Sequence, residues 1–104
     1  MDIHWVSTEA AALTHRLTKH LSGKGTCDQA RRAAVSVALN TAEGLASQGA
    51  NERRYLSMAY ASCQEAKTAV QLLAMTDQVD LDAARAVWQM LDRAGAMLWG
   101  LLGR

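Results

Sequence analysis

From Leu56 to Leu73 small and apolar residues return at spacings of three and four: Leu56, Ala59, Cys63, Ala66, Val70 and Leu73. Only a helix lines up residues so spaced, and the alternation is that of a heptad seam. The same rhythm runs from Leu81 through Ala84, Trp88, Leu91, Gly95 and Leu98 to Leu102. No proline occurs in the 104 residues, so nothing removes a helical N–H or kinks the backbone. Alanine and leucine, both strong helix formers, are abundant. The chain is expected to be all-α.

Two further helices precede these. Ile3, Val6, Ala10, Leu13, Leu17 and Leu21 mark one face of the first, which Ser22-Gly23-Lys24-Gly25 should end. Thr26-Cys27-Asp28-Gln29 reads as a capping box opening the second, Asn51 as the N-cap of the third, and Asp80 as that of the fourth. The predicted helices are 2–21, 27–46, 51–76 and 81–102. Breaks this short force neighbouring helices to run antiparallel. The expectation is a single domain, 1–104, folded as an antiparallel up-down four-helix bundle, with its handedness open.

The apolar faces of helices two and four are wider than a lone bundle requires. Val35, Leu39, Ala42 and Ala46 extend one; Val87, Met90, Ala94, Met97 and Leu101 extend the other, with Trp99 at its edge. Surplus apolar surface of this kind predicts self-association. Asp2, His4 and Glu9 interrupt any apolar leader, and no apolar run approaches the roughly 20 residues needed to span a bilayer. The expectation is a cytoplasmic protein with no membrane contact. Cys27 and Cys63 then read as reduced thiols that fill the core.

Catalysis is not expected. Glu43 and Glu65 are the only candidate acid–base pair on facing helices. No histidine or serine completes a hydrolytic set with them, and no glycine-rich phosphate loop or small-molecule site is evident. A carboxylate-bridged metal pair needs Glu-x-x-His, which is absent, and the cysteines are not paired as CxxC. No cofactor or metal is expected.

Charge supplies another candidate function. The formal net charge is only +1, yet Arg16, Lys19 and Lys24 fall close in sequence to Arg31 and Arg32, and Arg53 and Arg54 form a second doublet. In an antiparallel bundle the two doublets lie at opposite ends. A monomer would therefore hold RNA or DNA poorly, whereas an oligomer repeating these clusters would attract phosphate strongly.

Helix two also carries a polar stripe of Arg32, Ser36, Asn40, Glu43 and Ser47. By periodicity it is either a solvated face or a hydrogen-bonded contact with helix three. Asn40-Thr41-Ala42-Glu43-Gly44 and, further on, Ser62 and Glu65 in Ala61-Ser62-Cys63-Gln64-Glu65 resemble the Asn-x-Ala-Glu-Gly and Gly-Ser-x-x-Glu elements of a family of small bacterial four-helix bundles. Some of its members are encoded by intervening sequences in large-subunit ribosomal RNA genes, and others are accessory proteins of diversity-generating retroelements. The resemblance implies a ring-shaped homopentamer. Its retroelement branch implies contact with nucleic acid or with a reverse transcriptase. It also favours Asn40, Glu43, Ser62 and Glu65 as a structural polar network between helices two and three. The competing expectation is a protein-interaction adaptor, or an antitoxin-like partner, without nucleic-acid contact.

Overall fold

The computed structural model describes residues 2–103, which form four α-helices: α1 (Ile3–Thr18), α2 (Gly25–Leu45), α3 (Gly49–Met75) and α4 (Leu81–Leu102). Helix α1 lies beside α2 and α4, and α3 lies beside the same two, which closes the up-down bundle. Its longest dimension, 42 Å, is close to the length of α3 at about 1.5 Å per residue.

The seam of α3 is buried at all six positions, from Leu56 to Leu73. In α4 the seam is buried at Ala84, Leu91, Gly95 and Leu98 and half-buried at Trp88 and Leu102, but Leu81 is 58% exposed. Helix α1 departs from its apolar reading. Ile3, Val6 and Ala10 are buried, and the line continues through Thr14 and Thr18, while Leu13 and Leu17 sit at its margins. Both threonine hydroxyls donate to the carbonyl one turn back, Ala10 O and Thr14 O, each at 2.8 Å. Satisfied in this way, a hydroxyl enters the core without the cost of an orphaned donor. Thr41 is the exception: its buried hydroxyl has no hydrogen-bond partner among the described residues.

The helix ends correct several expectations. Helix α1 stops at Thr18 rather than Leu21, and its Thr18 carbonyl accepts from the Leu21 N–H and from a side chain of α2. Neither Thr26 nor Asn51 is an N-cap: α2 and α3 begin at Gly25 and Gly49, both at φ +60°, a conformation glycine adopts without strain. Asp80 does cap α4, accepting from the Ala83 N–H at 2.9 Å, and Asp2 caps α1 through Trp5 N at 2.9 Å. Helix α3 ends in a Schellman motif with Asp77 in the left-handed position and Gln78 N donating to Leu73 O at 2.9 Å. Gly44, next to last in α2, lies buried, and an added Cβ would come within 2.7 Å of Leu56 Cδ2. Its lack of a side chain lets α2 and α3 approach.

No helix among the described residues is long and apolar enough to cross a membrane.

Candidate nucleic-acid interface

The α1–α2 connection gathers most of the cations singled out by sequence. Arg16, Lys19 and Lys24 are exposed there, and Arg32 joins them on the first turns of α2. The α3–α4 connection lies at the same end, where a His20 ring nitrogen stands 3.3 Å from Gln78 O. Among the described residues only Arg32 of these four has a carboxylate partner, Asp28, at 3.7 Å and one turn back on the same helix. Such an exposed pair contributes little and leaves the guanidinium available.

Arg31 is different. Its side chain is half-buried and reaches back across the connection. Nε donates to Thr18 Oγ1 at 2.9 Å, and Nη2 donates to Thr18 O and, at 3.3 Å, to Leu21 O. Thr18 O, at the end of α1, also accepts from Leu21 N at 2.9 Å, and Leu21 O lies just beyond the helix. A cation there also suits the negative end of the helix dipole. Arg31 is therefore the C-terminal cap of α1, supplied from another helix, and its donors are committed within the fold. Sequence reasoning grouped it with Arg32 because the two are adjacent. The 100° step between consecutive helical residues sends one inward and one out.

Arg53 and Arg54 lie at the other end of the bundle, on the second turn of α3, both exposed. The Arg54 guanidinium sits 4.7 Å from the centre of the Tyr55 ring. The structure thus separates the second doublet from the first.

The polar network keeps Asn40 and Ser62, gains Ser36, and leaves out Glu43 and Glu65. Ser36 Oγ and Ser62 Oγ meet across α2 and α3 at 2.8 Å. Asn40 Nδ2 donates to Ser36 Oγ at 2.9 Å and to Ser36 O at 3.0 Å. Glu43 and Glu65 are exposed, and neither carboxylate has a hydrogen-bond or ion-pair partner among the described residues. The correction has a simple cause. The Asn40 amide and two hydroxyls bond one another at the half-buried α2–α3 seam with no charge to desolvate, whereas a carboxylate there would lose its hydration. Ser36 was visible in the stripe; its pairing with Ser62 depends on how the two helices are rotated.

On the outer surface of α2, Arg31, Arg32, Val35, Ser36, Leu39 and Asn40, with His15 of α1, line a shallow depression of about 520 Å³. Val35 and Leu39 are 37% and 62% exposed, so the surplus apolar face of α2 does reach solvent. A second groove, about 480 Å³, runs between α3 and α4 beside Met75, Leu81, Arg85 and Trp88. Trp99, 65% exposed, packs its ring at 5.4 Å from that of Tyr60.

Both cysteines are buried and free. The Cys63 thiol lies 2.8 Å from Leu91 O, and burial pushes it up to about 11, against a smaller opposing pull from Lys67. A thiol so held is a poor nucleophile. No group of three or more His, Cys, Asp or Glu side chains converges among the described residues.

The family model described as 23S rRNA-intervening sequence protein matches residues 3–100. A crystal structure of a protein with unknown function, from the S23 ribosomal protein family of Bacteroides thetaiotaomicron VPI-5482, has the same fold. It superposes with a TM-score of 0.89 at 16% sequence identity, over 99% of this chain and 100% of that one. No curated protein matches the chain. Four helices in this order, with a family match from the first helix almost to the end of the last, establish that the chain belongs to the 23S rRNA-intervening sequence protein family.

Proposed function

We propose that this protein acts without catalysis, as a self-associating helical scaffold. It would hold nucleic acid, or a protein bound to nucleic acid, against the cations of its α1–α2 connection. The observation that carries this reading is the exposure of Arg16, Lys19, Lys24 and Arg32 at one end of the bundle, with a single nearby carboxylate partner among the described residues. With a net charge of +1 a lone subunit would bind phosphate weakly. Repeating the cluster around an oligomer, a pentamer by the family resemblance, would multiply the phosphate contacts and make affinity fall steeply with salt. Contacts to phosphate alone would make binding indifferent to base sequence.

Anisotropy titrations of labelled RNA and DNA, at low and moderate salt, test the proposal. Lys19→Ala/Lys24→Ala should weaken binding and flatten its salt dependence while leaving the fold intact, which Arg31→Ala would not. Absence of binding at low salt, or binding unmoved by the double substitution, would overturn it. The competing reading, an adaptor that binds protein alone, draws on the exposure of Trp99 and Met75, at 65% and 71%. It would stand if nucleic acid were refused.

A further inference from the structure

The depression on the outer surface of α2 combines an apolar floor with polar groups at its rim. Val35 and Leu39, one turn apart and 37% and 62% exposed, form the floor. Arg32 stands at one end, Asn40 at the other, and His15 of α1 flanks it. Asn40 Nδ2 is spent on Ser36 O and Ser36 Oγ, while its Oδ1 accepts no hydrogen bond among the described residues. His15 Nδ1, 3.0 Å from Ala11 O, carries the proton of that contact, because a carbonyl can only accept, and Nε2 is left for a ligand. The charge around the floor is positive. Lys19 follows His15 by one turn of α1, and Arg32 has only the loose, exposed pair with Asp28. Glu43, a turn beyond Leu39, does not line the depression.

Arg32 and Asn40 are eight residues apart, about 12 Å along the helix axis. A nucleotide has about that length from its phosphate to the far edge of its base. An apolar floor, with a guanidinium at one end and an amide acceptor at the other, complements a flat base whose edge carries N–H groups and whose sugar carries a phosphate. A base within a duplex is stacked on both faces and cannot lie on such a floor, whereas an unpaired base can be splayed out onto it. We infer that the α2 depression seats one unpaired nucleotide of a strand whose neighbouring phosphates lie on Lys19 and Lys24. The base rests on Val35 and Leu39, its phosphate meets Arg32, and an N–H of its edge donates to Asn40 Oδ1. Arg31 also lines the depression, but its donors are committed to the end of α1. The inference rests on the nucleic-acid binding proposed above and specifies the form of the strand: single, with its bases exposed.

Anisotropy titrations at low salt compare three labelled probes of equal length: a single-stranded oligoadenylate, the same sugar–phosphate strand without bases, and the oligoadenylate paired with its complement. The single strand should bind the wild-type chain about fivefold more tightly than the strand without bases, the low end of what stacking one base contributes. Leu39→Ser should remove that preference and leave the affinity for the strand without bases unchanged. Its position is 62% exposed, and circular dichroism checks that the variant folds. Leu39→Trp, a broader platform, should strengthen binding of the single strand alone. Lys19→Ala/Lys24→Ala should weaken the strands with and without bases alike. Equal affinity for those two strands, a preference that survives Leu39→Ser, or tightest binding of the duplex would each overturn the inference and leave the phosphate contacts standing. No binding of any probe would overturn both.

Discussion

Arg31 and Arg32 are neighbours in sequence with separate roles in the structure. Arg31 closes the end of α1 through Thr18 and Leu21, whereas Arg32 meets solvent and one loose aspartate. Arg31→Ala should therefore cost about 1–3 kcal/mol by removing its hydrogen bonds to Thr18 Oγ1, Thr18 O and Leu21 O, while Arg32→Ala should change stability by less than about 0.5 kcal/mol. Urea unfolding of the two variants checks the contrast. Thr41 offers the reverse case. Its buried hydroxyl lacks a partner among the described residues, so Thr41→Val keeps the shape and removes a group that lost its hydration on folding. A gain of about 1 kcal/mol is expected in the same measurement. Cys63 provides a pH signature. The thiol ionises near 9.0 when unfolded and near 11 in the bundle, because burial disfavours the thiolate. Its contribution is fully present below pH 9 and is lost as the pH rises from there to about 11. Denaturation midpoints between pH 7 and 11 should fall more steeply for the wild type than for Cys63→Ala. That comparison separates Cys63 from the lysines and tyrosines that titrate in the same range.

Between elements, α2 and α3 come into tight contact at Gly44. A Cβ there would meet Leu56 Cδ2 at 2.7 Å and Cγ at 2.9 Å, and Leu56 is itself buried. Replacing a helical glycine of negative φ by alanine normally gains up to about 0.5–1 kcal/mol from the unfolded state and the helix, less in a last turn such as that of Gly44. Overpacking a tight interface costs about 1–3 kcal/mol, and at this position it should prevail. Gly44→Ala is expected to lower the melting temperature, and Gly44→Ala/Leu56→Ala should not add the two single losses, because the second change removes the collision. Glu43, one residue earlier, carries no such penalty, for its carboxylate stands in water. Two matched positions of one sequence motif thus divide between packing and solvent.

For the molecule as a whole, the apolar residues at the surface are concentrated enough to affect its behaviour. Met75, Leu81 and Trp99 are each more than half exposed on a chain of 104 residues. If they are covered by further copies, association stabilises the native state by mass action, and the melting temperature rises with protein concentration. A calorimetric series over two decades of concentration should show that rise for the wild type and lose it for Trp99→Glu. A flat series for the wild type would mean that these side chains stay in water.

The helices and their core lines were legible in the residues alone, because periodicities of three and four are local and survive any choice of neighbour. The seam of α3 was buried at every position read from it, and the polar turn at Asp77–Asp80 ended one helix and capped the next. The cationic cluster at the α1–α2 connection was also legible, since it follows from short spacing in sequence. Tertiary structure decided the rest. Whether Arg31 points inward, whether Ser36 or Glu43 faces Ser62, and whether Thr14 rather than Leu13 occupies the core line all depend on the rotation of each helix about its axis. That rotation is set by packing against partners distant in sequence, and a single helix carries no record of it.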